Sequence, residues 1–333
     1  MTVPTLAPMA LLQGFGGRMS AFAPAGPQAE RIQRLTWFLL AVATTVTVIV
    51  VVAALVAALH RRRAARPTAD EERRHERTAA RWVGGSVATT IVILLVFLGI
   101  DFATGRAMGQ PAGDERPLTI EVIGRQWWWE VRYEDPQPSR TLTTANEIHV
   151  PVGRPVLLKL SSRDVIHSLW VPNLHGKKDL VPGHQTVTWF RADSAGVFRG
   201  QCAEFCGHQH AKMGLLVVAE PPAAFAAWYE RQLLPATEPA DSVRRAGQRI
   251  FLTKGCVLCH AVGGTPAASR LGPDLTHVGS RLTLGAASLP NTRGHLAGWI
   301  VDPQRIKPGV RMPPNQLAPA ELQALLRYLE GLR

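Results

Sequence analysis

Two runs without a formal charge, Leu35 to Leu59 and Trp82 to Ile100, constrain this chain more than anything else in it. As a helix, the first is long enough to cross a hydrocarbon core of about 30 Å at about 1.5 Å per residue. His60-Arg-Arg-Arg63 ends it, and Asp101 ends the second. Both runs exceed ordinary core helices, and arginines bracket them on the same side. The segment between them, 60–81, holds eight basic residues against four acidic ones. By the positive-inside rule that segment lies in the cytoplasm. A two-helix transmembrane hairpin over 35–101 is therefore expected, with both termini and everything after Asp101 on the opposite face of the membrane.

Before the hairpin, residues 1–34 are rich in Ala, Gly and Pro. Ala21-Phe-Ala23 looks like a small-residue cleavage site, but no basic residue precedes Arg18, so a signal peptide and a retained extracytoplasmic segment both stay open. The net charge of +12 is unevenly placed. Residues 114–222 carry 12 basic and 12 acidic side chains, and residues 241–333 carry 12 and 5. The basic residues form no stripe and do not interleave with aromatics, which argues against a nucleic-acid partner and for an acidic or membrane-facing one.

From Leu118 the texture becomes short alternating runs: Leu118–Ile123, Glu130–Tyr133, Glu147–Val150, Pro155–Leu160, Thr186–Phe190 and Gly214–Ala219. Gly, Pro, Asn and Asp punctuate them, the spacing of an antiparallel sandwich or barrel. Trp127, Trp128 and Trp129 stand together in one presumptive strand, so at least one should face solvent.

Within this region Cys202-Ala-Glu-Phe-Cys206-Gly-His-Gln-His210-Ala-Lys-Met213 packs two thiols, imidazole, thioether and carboxylate into twelve residues. Soft and borderline donors of this kind suit copper. Two thiolates so close can bridge a pair of coppers, each of which then needs one terminal imidazole. His210 supplies one, and His167, in the strand-like segment Asp164-Val-Ile-His-Ser-Leu-Trp-Val-Pro172, offers the other. Met213 would be a weak axial donor, and the main-chain carbonyl of Glu204 would fill the remaining position. A Cys202–Cys206 disulfide or a structural zinc accounts for neither Met213 nor the His167 segment.

Residues 223–240 read as a linker with one short amphipathic piece, and 241–333 as a separate domain. Gly255-Cys256-Val-Leu-Cys259-His260 is a Cys-x-x-Cys-His haem attachment sequence. On a helix the thiols of Cys256 and Cys259 share a face and can add to the two vinyl groups of one haem, with His260 as proximal ligand. Met312, 52 positions later in the proline-bracketed Ile306-Lys-Pro-Gly-Val-Arg-Met-Pro-Pro314, is the second axial candidate. Ala318 to Leu329 has the apolar spacing of a final amphipathic helix. With all four cysteines so used, none remains for a structural disulfide.

The two copper segments resemble the Cu-A motif of cytochrome c oxidase subunit II at every ligand position. Most of the chain from about residue 22 resembles the variety that carries a fused C-terminal cytochrome c domain, as in caa-type haem-copper oxidases. The resemblance implies a membrane hairpin, an all-β cupredoxin-like Greek-key domain over 115–222 and an all-α cytochrome c domain. It implies a dinuclear copper centre, one covalent haem c, and a Mg²⁺ at the subunit I interface reached by the Glu204 side chain. Trp127 would be the residue through which electrons enter the copper pair. The partners implied are subunit I, subunit III and an external donor, either a cytochrome or a quinol-oxidising complex, at a bacterial plasma membrane with the domains on the periplasmic side. At 179–184 the chain departs from the pattern, with His184 where an Arg often sits, so the resemblance implies no contact to subunit I through that position. A Cu-A nitric oxide reductase subunit and a membrane-tethered electron carrier are the competing functions.

Overall fold

A computed structural model describes residues 17, 19–61, 68–109 and 116–333. Residues 1–16 and 18, part of the N-terminal segment for which both a signal peptide and a retained segment stayed open, lie outside these. The chain divides into two compact units, one of residues 30–110 and one of the remainder.

The first unit is the hairpin. Helix α1 spans Pro27–Arg61 and α2 spans Ala69–Met108. Both are long and apolar enough to cross a membrane, and their most apolar stretches bury nothing inside the protein. Leu55, Val92 and Leu98 are all more than half exposed, which in water would be costly over two whole helices and in lipid is not. Phe38 and Phe97 meet with ring centroids 5.2 Å apart.

The expected loop 60–81 is much shorter than the charge pattern suggested. Thr68 caps α2 in a capping box with Glu71, whose carboxylate accepts from the Thr68 amide at 2.8 Å, and Asp70, Glu71 and Glu72 face the positive helix end. Thus 69–81, read as a loop for its charge, is the polar first third of α2. At the other end, α2 runs past Asp101, where the apolar run stops, and stays helical through Met108.

In the second unit ten strands form two five-stranded sheets. They are β1 (Leu118–Arg125), β2 (Trp128–Tyr133), β3 (Leu142–Ala145), β4 (Glu147–Pro151), β5 (Val156–Ser162), β6 (His167–Trp170), β7 (Lys178–Leu180), β8 (Thr186–Phe190), β9 (Gly196–Cys202) and β10 (Gly214–Glu220). One sheet runs β3-β2-β1-β5-β8, the other β4-β10-β9-β6-β7. The sandwich is not purely antiparallel: β1 pairs with β5, and β4 with β10, in parallel. Alternation along β5, where every second residue is buried, puts Val156, Leu158 and Leu160 into the space between the sheets. There they join Ile120, Val122, Val131, Phe198, Leu215 and Val217 in one cupredoxin-like core. Helix α3 (Pro222–Gln232), at the head of the segment read as a linker, adds Phe225, Trp228 and Tyr229 to that core. Burying each large apolar side chain is worth about 1.5–3 kcal/mol, so α3 is held by the sandwich and not by its own helix propensity.

The remainder is helical. Helix α4 (Ser242–Thr253), capped by Asp241, crosses α7 (Pro319–Glu330), with α5 (Arg293–Val301) and α6 (Pro303–Ile306) between them in sequence. The crossing is close because α4 offers Gly247: a Cβ there would lie 2.1 Å from the Ala324 carbonyl oxygen. Phe251, Leu325, Leu326, Tyr328 and Leu329 form the core around it. A small hairpin of β11 (Thr283–Leu284) and β12 (Leu289–Pro290) leans toward the sandwich.

Candidate metal and haem centres

Strand β6 opens on His167 between β7 and β9 of the second sheet, and β9 delivers Cys202 beside it, paired to Leu169. The loop after β9 returns through a short 3-10 turn, His210–Lys212, before β10. Three backbone bonds shape that loop: Cys202 N–H to Met213 O at 2.9 Å, Ala203 N–H to Ser168 O at 2.9 Å and His210 N–H to Gly207 O at 3.0 Å. Gly207, at φ +104°, makes the turn that brings Cys206 back against Cys202.

All six donors named from the sequence converge there. The two sulfurs are 3.7 Å apart, and all four cysteines of the chain are free thiols. His167 Nδ1 lies 3.9 Å from Cys202 Sγ, and His210 Nδ1 lies 3.7 Å from Cys206 Sγ. Met213 Sδ stands 3.8 Å from Cys206 Sγ, and the Glu204 carbonyl oxygen 3.3 Å from Cys202 Sγ. Each sulfur thus has its own imidazole and one further weak donor. His167, Cys202, Cys206 and Met213 are buried.

Two bare thiolates at this separation repel each other, and the pair resolves that by sharing one charge. Its hydrogen bond with Cys206 draws the Cys202 thiol well down, while the same bond and burial push Cys206 up. A cation held by both sulfurs removes the conflict, so the donor set fits copper.

Residues that sequence reasoning gave no role position the donors. The Asp164 carboxylate accepts from His167 Nε2 at 2.8 Å, which fixes the tautomer and leaves Nδ1 for the sulfurs. Despite burial, that bond and the amides of Gln126 and Val165 hold the Asp164 carboxyl below its ordinary value. Gly124 of β1 lets the His167 ring lie flat against the strand, since a Cβ there would come within 2.6 Å of Cδ2. The Cys206 carbonyl accepts from Gln126 Nε2 at 2.8 Å and from Trp127 Nε1 at 2.9 Å. Trp127 itself sits in the turn before β2 and not within a strand, while Trp129 is fully buried. The Glu204 carboxylate points to solvent, 3.6 Å from Lys177 Nζ.

The second cluster sits after α4. Cys256–Leu258 form a 3-10 turn instead of the expected α-helical face, entered through Gly255 at φ +86°. The backbone still closes the motif, with His260 N–H bonded to Cys256 O at 3.0 Å. His260 Nδ1 donates to the Pro273 carbonyl at 2.7 Å, which leaves Nε2 available. Burial keeps this imidazole below its ordinary pKa, hence neutral and suited to iron. Gly272 lies flat on the ring, where a Cβ would come within 2.8 Å of Cε1. The Met312 loop is locked by Gln304, whose Nε2 donates to Val310 O and Met312 O at 2.8 Å each. Leu258 and Leu271 beside the motif are exposed apolar side chains that suit a macrocycle edge.

Comparison with known proteins places these clusters in a family. Residues 135–220 match the periplasmic domain of cytochrome c oxidase subunit II, and residues 245–333 match cytochrome c. Cytochrome c oxidase subunit 2 of Alkalihalophilus pseudofirmus is 37% identical over 247 residues, 72% of this chain and 70% of that protein. The chain belongs to the cytochrome c oxidase subunit II family. A second relative, subunit 2 from Bacillus sp. PS3, is 32% identical over 261 residues, covering 72% of this chain and 71% of its own. The solved periplasmic domain of subunit II (CoxB) of Bradyrhizobium japonicum is 32% identical over 37% of this chain and 95% of that one, with a TM-score of 0.34. Membership makes this a subunit of a haem-copper oxidase, which implies a subunit I partner, and the two matched domains imply copper and haem binding.

Proposed function

We propose that this subunit II passes electrons from a covalent haem c to a dinuclear Cu-A centre and on to a haem in subunit I, where O₂ reduction is coupled to proton translocation. The division of labour is a membrane hairpin over 35–101, a copper domain over 115–222, a linker over 223–240 and a haem domain over 241–333. The C-terminal domains face the periplasm of a bacterial plasma membrane, and subunit III and an external cytochrome or quinol-oxidising complex complete the assembly.

The observation that carries this reading is the convergence of two imidazoles, a thioether and a main-chain carbonyl on one pair of sulfurs 3.7 Å apart. His167, Cys202, Glu204 (through its carbonyl), Cys206, His210 and Met213 would hold the copper pair. Cys256 and Cys259 would hold the haem covalently, with His260 and Met312 on its iron. When bound, the bridged copper pair supplies a one-electron centre that shares the odd electron between two metals. Asp164 keeps His167 in one tautomer, Gln126 and Trp127 hold the Cys206 backbone still, and the buried setting excludes water. A site whose donors are fixed beforehand rearranges little when its charge changes. Trp127, bonded to a ligand's own carbonyl, is the residue through which electrons reach the pair. The Glu204 carboxylate, exposed beside Lys177, is the side chain offered to a Mg²⁺ at the subunit I boundary.

The test is metal content and electron paramagnetic resonance of the full chain, matured with haem and loaded with copper. Two coppers per chain with hyperfine splitting from an equally shared electron, and a low-spin His/Met haem, are expected. One copper with a four-line pattern, or a Cys202–Cys206 disulfide, overturns the dinuclear reading.

A further inference from the structure

Lys307 is 2% exposed, and its hydrogen-bond partners, among the described residues, are main-chain carbonyls and not carboxylates. A lysine is rarely buried without such a partner, because its head group loses water. Here Nζ donates to two main-chain carbonyls, Trp127 O at 2.8 Å and Gly285 O at 3.1 Å. Trp127 belongs to the copper domain; Gly285 and Lys307 belong to the haem domain.

Gly285 begins an uncommon turn. It and the next two residues, Ala286 and Ala287, have φ of 60°, 61° and 55°. Two alanines in the left-handed region are held against their own preference, so something must over-determine them. All three successive carbonyls are in fact taken: Gly285 O by Lys307, Ala286 O by the Gly214 amide at 3.1 Å, and Ala287 O by Arg199 Nη1 at 2.9 Å. Gly214 and Arg199 belong to the copper domain. Close by, Gln209 Nε2, adjacent to His210, donates to Pro308 O at 2.7 Å, and Lys212 Nζ donates to Ile306 O.

Lys307 also sits in the Met312 loop. Its carbonyl accepts from Val310 N–H at 3.1 Å, and Gln304 ties Val310 to Met312. A chain of bonds and hydrogen bonds therefore runs from Met312 through Lys307 to Trp127 O, and from the Trp127 indole to Cys206 O. It crosses between the domains at a single hydrogen bond.

We propose that Lys307 is a positioning residue for haem-to-copper electron transfer: by joining the Met312 loop and the left-handed 285–287 turn to the Trp127 carbonyl, it fixes the haem domain against the copper loop. This rests on the reading of the two centres given above. In the step served, the haem iron loses one electron and the copper pair gains one; no bond at Lys307 breaks and no proton moves. Burial, aided by nearby Lys212 and opposed by Cys206, brings the amine down to about 7. The junction tolerates loss of that proton, since a neutral amine keeps two N–H groups for its two acceptors.

The test uses the full chain in detergent, with Lys307→Met and Lys307→Arg. One readout is haem-to-copper transfer after flash reduction of the haem. The other, made without copper, is hydrogen exchange of the Gly214 amide, which donates to Ala286 O. Lys307→Met is expected to slow transfer at least about tenfold, given how steeply rate depends on placement, and to speed Gly214 exchange, with haem potential and copper spectrum unchanged. Lys307→Arg, which keeps donors in reach, is expected to restore much of both. Wild-type transfer and exchange in Lys307→Met overturn the proposal, as does a loss in which the copper spectrum itself changes. If the wild-type chain holds no copper pair, the functional reading fails, and Gly214 exchange still decides whether Lys307 fixes the docking.

Discussion

Asp164 shows how much a metal centre depends on residues that never touch metal. Its carboxylate accepts a hydrogen bond from His167 Nε2 and another from the Gln126 amide, and so pins the turn after β1 to the His167 segment. Asp164→Asn keeps the shape but replaces a charged acceptor with an amide that can present its N–H₂ to the ring. Copper affinity, measured by competition with a calibrated chelator, is expected to fall about 10–100-fold, the usual cost of removing such a partner. A variant that binds as tightly as the parent would show that the ring needs no such support. At this scale the sequence was readable for donors and silent on what holds them. Thiols, imidazoles and a thioether advertise themselves by type and spacing. Gly124 and Gly272, packed against the rings of His167 and His260, look like any other glycine until the fold brings a ring onto them.

At the scale of elements, the crossing of α4 and α7 carries the haem domain, and its closest approach is Gly247 on the Ala324 carbonyl. Gly247→Ala gains helix propensity of about 1 kcal/mol. The added methyl, however, meets backbone, which cannot step aside. Overpacking typically costs about 1–3 kcal/mol, so the net is destabilising. The haem domain's melting temperature should fall while the sandwich's melting is unchanged. The same scale explains where sequence and fold diverged. Strands with clean alternation, such as Val156–Ser162, were legible. Lys178–Leu180 is three residues with two charges, and Gly196–Cys202 carries Gly, Arg and Gln; neither has an alternating apolar signal, and pairing to β6 makes them strands. Residues 69–81 were read as a loop because of their charge, although the Thr68–Glu71 pair begins a helix there. The Cys-x-x-Cys segment needed only to bring two thiols and an imidazole together, and a 3-10 turn does so as well as an α-helix.

For the whole molecule, the junction of the two redox domains is made mostly of hydrogen bonds that are at least partly buried. Besides Lys307, the Glu147 carboxylate of β4 accepts from the Leu282 and Thr283 amides at 2.8 and 2.9 Å. Arg281, half-buried, reaches Asp274 O and Thr144 Oγ1. None of this was legible in sequence, because pairing between domains has no local period. The domains differ in charge, 12 basic and 12 acidic residues over 114–222 against 12 and 5 over 241–333, which suggests electrostatic docking. The geometry shows a joint whose pairs are shielded from salt. Haem-to-copper transfer within the chain is therefore expected to hold steady from low to high ionic strength, when exposed charges a Debye length of about 10 Å apart are screened. Reduction of the haem by an external donor, across exposed basic surface, should slow over the same range. A parallel decline of both rates would mean that the domains separate between turnovers.

The left-handed turn at 285–287 has a further consequence. Three consecutive residues occupy a conformation that two of them disfavour, and the partners that hold it include Gly214 and Arg199 across the junction. Severed from the copper domain, the haem domain would lose those partners, and this turn is where its backbone should relax first. A cytochrome of this lineage set free to diffuse would have to change its sequence here, and a glycine at 286 or 287 would mark one that had.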